Sequence, residues 1–352
     1  MKKLYFIPFL FLTITCFAQK QFVVQGGTTQ TFSDINAAIA AASPGDTIYF
    51  PGGGFSLNPT TIDKTLHWRG VGHYPDSTAA TGFTQILGST VLTGNCDNST
   101  FEGIYFQYNL SFGSNDDECT GVEITRCRID GALSFRTIYD TSNGNQDLNG
   151  KVSESVIGTI NGYNAKNIRF EKNLIFGIIN DLYQCLFNHN SINTYQSSNR
   201  VISNCHNCQF SNNVFGNSYG FYNGSANCNF ENNLFKANLI YDPTISTFTG
   251  SGNITNVSGD IYSHLEGDVR YFNYQNNYHL NTSATGTDGN GNTGIGITGK
   301  ASDGTNAGIY GTSLPYKEGA VPYAPHIQTA DIDNNAINGN LGVQIKVAAQ
   351  ER

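Results

Sequence analysis

A short motif that recurs about every 20 residues constrains the fold of this chain more than any other feature. Its copies, such as CQFSNNVF and CNFENNLF, begin at Ile104, Val122, Ile168, Cys185, Cys208, Cys228 and Phe272. The first and third positions are apolar and the second and fourth are mostly polar, which is the alternation of a half-buried strand. A strand-turn-strand unit at this period predicts a solenoid, in which stacked repeats bury a face that one repeat alone could not bury.

The sixth position of each copy predicts a ladder of asparagine side chains. It holds Asn109, Cys127, Asn173, Asn190, Asn213, Asn233 and Asn277. Parallel stacking places equivalent residues about 4.8 Å apart, so the amides can hydrogen-bond to one another and to the backbone of the turns. We expect each asparagine to occupy a tight corner with left-handed dihedrals. Two gaps of about twice the usual length are each expected to hold one degenerate coil.

Residues 1–18 predict a secretory signal peptide. They have a basic start at Lys2 and Lys3, an apolar run to Ile14, and the small residue Ala18 at the expected cleavage point. Cys16 leaves a lipid-anchored form as the alternative. The apolar run is too short to span a bilayer, so no transmembrane span is expected. We therefore expect a protein that is secreted, extracellular or held at the outer-membrane surface.

Charge and composition narrow the classes of partner. Without residues 1–18 the chain keeps 17 of its 19 basic residues and all 27 acidic residues, which gives a net charge of −10. This balance argues against nucleic acid or an anionic membrane as partner. Disorder is also disfavoured, because 23 Phe and 19 Tyr provide ample apolar area for a core. An all-β monomer is expected.

Seven cysteines follow the predicted signal peptide, and an odd number does not suit a fully paired disulfide framework. Buried free thiols are therefore expected. A zinc site formed by Cys185, Cys205, Cys208 and Cys228 is the alternative, because Cys205 and Cys208 form a CxxC pair. Only one such pair occurs, so no metal site is predicted.

The segment TFSDINAAIAAASPGDTIYF predicts a short helix that covers the open end of the stack. Ser33 is the expected N-cap, and Pro44-Gly45 is the expected stop. The apolar residues of one helical face are Ile35, Ala38, Ile39 and Ala42. Such a helix would shield strand edges and core that the first coil otherwise exposes.

Three stretches together resemble the start of pectin-lyase-like right-handed parallel β-helix proteins. They are INAAIAAASPGDTIYFPGGGFSL, TLHWRGVGH from Thr65 and FEGIYF from Phe101, and GTNAGIYG from Gly304 is similar to a closing segment of secreted bacterial members. The resemblance implies an all-β, single-stranded right-handed parallel β-helix with an N-terminal capping helix over residues 19–327. Residues 328–352 would then form a last strand or cap. The resemblance leaves the activity open, since this fold hosts lyases, hydrolases, adhesins and inert surface proteins.

Pectate lyases of this fold use an arginine base and aspartates that bind calcium, and no stretch of this chain reproduces their active-site motif. The weak catalytic candidates are Asp116 and Asp117, which precede one coil, and Arg126 and Arg128, which end it. Acidic residues beside an arginine could bind calcium and abstract a proton. The alternative is a solvated turn with scattered charges. No cofactor is expected, with calcium needed only by a lyase.

Two loops are predicted to leave the solenoid and line its groove. The longer one, from Ser134 to Glu154, supplies the glycan-binding candidates Tyr139, Asp140, Asp147 and Lys151. The second, from Gly216 to Ser225, offers Tyr219, Phe221 and Tyr222 as rings that could stack on sugars. The alternative for these rings is that they only cover the coil below.

Two functions from different classes follow from these features. The first is a non-catalytic surface protein that binds a polysaccharide or cell-surface glycan, or serves as a scaffold. The second is a polysaccharide lyase or glycoside hydrolase that acts in the groove, which requires convergent acids or a carboxylate pair at catalytic separation. Convergence of Asp116, Asp117, Arg126 and the Ser134 to Glu154 loop in one cleft would favour the enzyme.

Overall fold

The chain is built mainly of short strands in two sheets. The structure is a computed structural model that describes residues 20–58, 60–113, 118–136, 146–194, 201–217, 224–237, 248–318, 326–333 and 340–348. Within these ranges there is one α-helix, Ile35–Ala41, and one turn of 3-10 helix, Asp76–Thr78. The prediction of an all-β protein made of parallel strands is therefore confirmed.

The first sheet has 12 strands. In spatial order they are Thr29–Phe32, Phe22–Gln25, Thr47–Tyr49, His67–Arg69, Thr100–Glu102, Glu123–Thr125, Lys151–Ser153, Arg169–Glu171, Leu186–Asn188, Gln209–Ser211, Cys228–Glu231 and Phe248–Thr249. The first three strands pair antiparallel. From Thr47–Tyr49 onwards every pairing is parallel and joins strands in chain order.

The second sheet has 15 strands. Its main path runs through Leu234–Phe235, Val214–Phe215, Ser191–Ile192, Leu174–Ile175, Val156–Lys166, Arg128–Ser134, Tyr105–Phe106, Thr84–Ile86 and Gly53–Phe55. Strands Thr61–Ile62, Thr90–Leu92, Leu110–Phe112, Gln146–Asp147, Ile179–Tyr183 and Ile202–Ser203 extend it sideways. The chain alternates between the two sheets, and we call one strand of the first sheet with the following strand of the second a coil.

Phenylalanines in the third motif position form a stack through the core. The rings of Phe170, Phe187, Phe210 and Phe230 lie parallel, with centroids 4.5, 4.6 and 4.8 Å apart. This spacing equals the separation of paired strands, so each ring rests on the ring of the next coil. All four are almost completely buried. Stacked aromatic side chains thus fill the space between the two sheets.

The capping helix lies where the sequence predicts it, against Phe22–Gln25 and Thr29–Phe32. Its N-cap is Asp34 and not Ser33, because Asp34 Oδ1 accepts a hydrogen bond from the Ala37 amide at 2.8 Å. An aspartate directly before the first helical residue satisfies a free N–H that the serine, one residue earlier, does not reach. Ile35 and Ala38 are the buried residues of this helix.

Asparagines form a hydrogen-bonded ladder between the two strands of successive coils. Asn173, Asn190, Asn213 and Asn233 are completely buried. The Nδ2 of each donates to the Oδ1 of the next at 3.0 Å, and Asn253 extends the ladder at 3.1 Å. Each Oδ1 also accepts from the backbone N–H of the preceding ladder residue at 2.8–3.0 Å. The amides therefore satisfy backbone groups that water cannot reach.

The left-handed residue at each corner is the one before the ladder asparagine and not the asparagine itself, which corrects the expectation from the sequence. Lys172, His189, Asn212 and Asn232 have φ of 56°, 55°, 59° and 54°. These residues make the turn, and the next side chain is left pointing inward, where it can hydrogen-bond along the stack. Lys172 and His189 show that residue types other than asparagine also adopt the left-handed conformation at this corner.

Both degenerate coils are present, and they extend the ladder at each end. Asn253 fills the second gap, and Ser155 fills the first, where its N–H donates to Asn173 Oδ1 at 3.0 Å. The N–H of Cys127 donates to Ser155 Oγ at 3.1 Å. In the coil before that of Cys127, Ile104 occupies the ladder position, because the following residue, Tyr105, pairs with Arg128.

Asn109 and Asn277 are not part of the ladder, contrary to the prediction. Asn109 is exposed and its Oδ1 accepts from the Ala132 amide at 2.8 Å, because the true copy of this coil begins five residues earlier than the sequence alignment placed it. Asn277 is exposed at the start of an antiparallel strand and accepts from the His279 amide at 3.0 Å. Its sequence matches the repeat motif, but its strand pairs with no parallel strand among the described residues.

Residues 257–318, which we call the cover segment, fold back along the outer face of the second sheet. They contain the antiparallel pairs Tyr262–His264 with Asn277–Leu280 and Thr285–Gly286 with Ile295–Gly296. Beneath them lie the outward-facing Val156, Leu174, Val214 and Leu234, all buried. The parallel strands of the first sheet end at Phe248–Thr249, so the described coils stop well before residue 327. Outward apolar residues need a cover, which explains why the chain turns back.

Two cysteines, Cys96 and Cys119, form a disulfide with a Cα–Cα distance of 5.3 Å, which corrects the expectation of free thiols at these positions. Cys127, Cys185, Cys205, Cys208 and Cys228 are free and buried. Burial raises the pKa of the Cys127 thiol to about 12. These thiols therefore act as small apolar side chains in the core.

The final described element is an antiparallel hairpin, His326–Ile332 with Val343–Ala348. It forms a two-stranded sheet of its own, and the role of residues 328–352 as a last strand or cap stays a prediction. Among the residues that the structure describes, no helix is long and apolar enough to cross a membrane.

Candidate functional site

The cover segment leaves part of the second sheet open, and a cleft forms at its edge. In the covered coils the outward residue after the ladder position is buried, and it is apolar except at Ser191, whereas in the two preceding coils it is Tyr105 and Arg128. Tyr105 and Arg128 are half-buried, and Arg128 contacts Phe272 and Tyr274 of the cover segment. Arg128 and Asp130 come from one strand, so alternation places them on the same face.

Arg128 is fixed by hydrogen bonds on every side of its guanidinium. Its Nε and Nη2 donate to the two oxygens of Asp130 at 2.7 and 2.9 Å. Its Nη1 donates to the Tyr274 hydroxyl at 2.8 Å. Tyr105 donates its hydroxyl to Asp130 Oδ2 at 2.5 Å. This bidentate arrangement is the strong form of an arginine–carboxylate pair.

Aromatic rings surround the same guanidinium. Its central carbon lies 4.6 Å from the Tyr105 centroid, 5.1 Å from Phe272 and 5.2 Å from Tyr274. Each distance is within the range of a cation–π interaction. Phe272 and Tyr274 belong to the cover segment, so Arg128 also attaches the cover segment to the second sheet.

The resulting space, which we call the Arg128 cleft, has a volume of about 330 Å3. It is lined by Arg128, Asp130, Gly158, Phe176, Arg270, Tyr271 and Phe272. Tyr271 is 58% exposed and stands at the mouth. Gly158 also lines the cleft, and a Cβ there would lie 2.3 Å from the Gly131 carbonyl oxygen of the neighbouring strand. The cleft therefore combines aromatic and aliphatic side chains with an ion pair.

The comparisons with known proteins give no family. No protein-family model and no curated protein matches this chain. The function must therefore be argued from the geometry of the cleft.

The charges in the cleft are stable at physiological pH. Burial alone would lower the pKa of Arg128, but its contacts with Asp130 and Tyr274 outweigh burial and raise that pKa overall. Burial, together with the hydrogen bond to Asp130, raises the pKa of Tyr105 to about 12. Arg128 therefore remains protonated and Tyr105 remains neutral. Neither group is prepared to abstract a proton, because a general base works best with a pKa near the operating pH.

A buried histidine supports the cleft from below. His73 is completely buried, its Nδ1 lies 3.4 Å from the Tyr274 hydroxyl, and its carbonyl accepts from that hydroxyl at 2.8 Å. Burial, and secondly the charge of Arg128, lowers the pKa of His73 to about 3. The imidazole is therefore neutral in the folded protein.

This histidine predicts a loss of stability in acid. The folded pKa lies below the ordinary value of 6.5, so the stabilising contribution is complete above pH 6.5 and is lost as the pH falls from 6.5 towards 3. Between pH 6.5 and 5 we expect the free energy of unfolding to fall by about 2 kcal/mol from this group. Urea titrations at several pH values measure the slope.

The matched variant is His73→Gln, which cannot titrate. Its stability should depend less steeply on pH than that of the parent, even though other buried histidines add to the slope in both proteins. Equal slopes for the two proteins would contradict the neutral, buried state of His73.

Of the remaining predicted residues, the three that the structure describes do not line this cleft. Arg126 is 1% exposed and its Nε pairs with Glu154 at 2.9 Å, at a corner of the coil where its φ is 54°. Lys151 is exposed and lies 3.4 Å from Glu171. Asp147 falls in the strand Gln146–Asp147. The other seven candidates lie outside the described residues, namely Asp116, Asp117, Tyr139, Asp140, Tyr219, Phe221 and Tyr222.

The sequence prediction missed the cover segment's contribution to the cleft. The match of FNYQNNYH to the repeat places Phe272 and Tyr274 in a coil, whereas the structure places them with Arg270 and Tyr271 in the cover segment. Four aromatic residues lie within Tyr271–Tyr278, but the coil at residues 101–108 has the same density of rings, so this count alone does not distinguish the cover segment from a coil. Within the described ranges, no group of three or more His, Cys, Asp or Glu side chains is arranged to hold a metal ion.

Proposed function

We propose that this protein is a secreted or cell-surface right-handed parallel β-helix of the pectin-lyase-like type that binds polysaccharide without catalysis. Support for the handedness comes from the parallel pairing of successive strands in both sheets, because crossovers between parallel strands are almost always right-handed. Support for export comes from the signal-peptide pattern of residues 1–18. The rod itself would act as a rigid, monomeric platform.

The observation that carries the binding function is the aromatic Arg128 cleft. Tyr271 and Phe272 offer ring faces and edges on which the apolar face of a sugar can pack. The Asp130 carboxylate and the Arg270 guanidinium border the same space and can hydrogen-bond to sugar hydroxyls. Small-ligand sites typically combine an apolar surface with a few fixed polar groups in this way.

A binding role fits the cleft better than a lyase or hydrolase role. Each nitrogen of the Arg128 guanidinium donates to Asp130 or Tyr274, and its raised pKa opposes the loss of a proton. Arg126 is buried against Glu154. An arginine that acts as a base must give up its proton, so neither residue is suited to that step.

The first test is polysaccharide binding by residues 19–352 on a glycan array, followed by titration of the best ligand. We expect Tyr271→Ala to weaken that binding about tenfold, which corresponds to ~1.4 kcal/mol, because the most exposed ring of the cleft is removed. Tyr108→Ala is the matched control, since Tyr108 is 53% exposed on the surface but does not line the cleft. It should leave the affinity unchanged.

The same samples are assayed for unsaturated products and for new reducing ends, with and without calcium. Release of either product at a rate that Arg128→Lys abolishes would replace the binding proposal with the enzyme. Equal affinities of the parent and Tyr271→Ala would exclude the Arg128 cleft as the binding site.

A further inference from the structure

A second cavity lies between the cover segment and the second sheet, where Leu174 in its lining pairs with Val156 in the lining of the Arg128 cleft. It has a volume of about 210 Å3. Five tyrosines and one carboxylate line it, namely Tyr74, Tyr274, Tyr278, Tyr310, Tyr316 and Glu318. We call it the tyrosine pocket. These residues come from three distant parts of the chain, which meet only because the cover segment folds back.

Hydroxyl groups in the tyrosine pocket are arranged as linked pairs. The Tyr74 and Tyr316 hydroxyl oxygens are 3.3 Å apart. Tyr310 donates to Glu318 Oε1 at 2.7 Å, and the Asn276 side chain donates to the Tyr278 hydroxyl at 2.8 Å. A tyrosine hydroxyl can both donate and accept, so each linked pair retains capacity for a further hydrogen bond.

Tyrosine is a costly choice here if the rings serve packing alone. The solenoid core is filled by phenylalanine, as in the stack from Phe170 to Phe230. Tyr316 and Tyr278 are only 3% and 4% exposed, yet each brings a hydroxyl that must find a partner away from water. The residue type therefore changes from phenylalanine to tyrosine where the protein encloses this cavity. Such a change points to a polar occupant.

The charge of the tyrosine pocket selects the kind of occupant. Burial raises the pKa of Tyr278 to about 12 and raises that of Tyr74 above its usual range, so the phenols stay neutral. Glu318 supplies a carboxylate, which disfavours an anion at close range. A carboxylate and several phenols suit a neutral molecule that is rich in hydroxyls. The volume accommodates one pyranose ring but not two.

We propose that the tyrosine pocket binds a single neutral sugar unit, separately from the Arg128 cleft. This inference rests on the proposed function, because it assigns a neutral sugar residue, such as a branch or chain end, to the polysaccharide held by the cleft. Tyr274 lines the tyrosine pocket, and its hydroxyl accepts a hydrogen bond from Arg128, which lines the cleft, so the two spaces are neighbours. A glycan could therefore occupy both spaces at once.

The test uses the methyl glycosides of glucose, galactose, mannose and N-acetylglucosamine as probes. Saturation-transfer NMR and titration calorimetry on residues 19–352 should detect at least one of them. We expect Tyr316→Phe and Tyr310→Phe each to weaken its binding about tenfold, because each removes one hydroxyl and keeps the ring. Tyr262→Phe is the matched control, since Tyr262 is a buried tyrosine whose hydroxyl donates to Asn193 outside the pocket.

The outcomes separate this inference from the proposed function. Tyr271→Ala should leave monosaccharide binding unchanged, because Tyr271 lines the cleft and not the pocket. Monosaccharide binding that depends on Tyr316, without any polysaccharide binding, would sustain the pocket and refute the cleft. The inference is overturned if no glycoside binds the parent, or if both tyrosine-to-phenylalanine variants bind as the parent does while melting at the same temperature.

Discussion

The variant Phe210→Ala is expected to lose about 4 kcal/mol of unfolding free energy, the largest effect we predict for a single substitution. Phe210 is completely buried, and its ring stacks at 4.6 Å on Phe187 and at 4.8 Å on Phe230. Its removal leaves a cavity that the neighbouring coils cannot close, because backbone hydrogen bonds hold them at the strand spacing. Urea unfolding followed by circular dichroism measures the loss.

Phe83→Ala is the matched control for this experiment. Phe83 is half-buried, and its nearest ring is Tyr105 at 6.1 Å, so its loss should cost less than 1 kcal/mol. A cost for Phe210→Ala as small as that of the control would contradict the continuous ring stack.

The second large effect is expected for Asn213→Ala, which should lose about 3 kcal/mol. The Asn213 side chain donates to the Phe187 carbonyl at 2.9 Å and to Asn233 Oδ1 at 3.0 Å. It also accepts from the backbone and side-chain nitrogens of Asn190 at 2.8 and 3.0 Å. Alanine leaves the Asn190 N–H and the Phe187 carbonyl buried without these partners, and water cannot replace them.

Asn290→Ala provides the comparison for the ladder. Asn290 is exposed in a turn of the cover segment, where substitution should change stability by less than 0.5 kcal/mol. Thermal and urea unfolding of both variants gives the difference. Identical curves for Asn213→Ala and the parent would mean that the ladder contributes nothing to stability.

The asparagine ladder could be predicted from the sequence because it depends on a local pattern repeated at a regular interval. Asn173, Asn190, Asn213 and Asn233 all occupy the sixth motif position, and all lie in the ladder. The same reasoning failed at Asn277, because the letters of the motif do not reveal whether a parallel partner exists on either side. A local pattern predicts a strand and a corner, but pairing is a property of distant segments.

The cover segment could also have been inferred from the sequence, since the ladder asparagine is followed by two apolar residues in several coils. Leu174-Ile175, Val214-Phe215 and Leu234-Phe235 are buried on both faces of the second sheet. A strand with a single buried face would carry a polar residue at the first of these positions, as Arg128-Ile129 does. The pattern thus indicates that something covers these coils, although it does not indicate which segment.

The Arg128 cleft was predictable only in part, because the residues that meet there come from distant segments of the chain. Arg128 was a candidate from its position at the end of a coil, but its partners Tyr105 and Tyr274 are separated from each other by most of the coils. Tyr274 reaches Arg128 because the cover segment reverses direction after the last coil. Long-range reversals of this kind leave no periodic signal in a single sequence.

Because the cover segment follows the coils along the chain, a growing polypeptide produces the coils first and their shield last. Until residues 257–318 are made, the outer aliphatic residues Val156, Leu174, Val214 and Leu234 stand in water as a largely apolar strip that Ser191 interrupts. Exposed apolar surface on a partly made chain invites association with other copies. The yield of correctly folded protein therefore depends on how quickly its last segment emerges, and a chaperone that holds the strip in the interval would raise it.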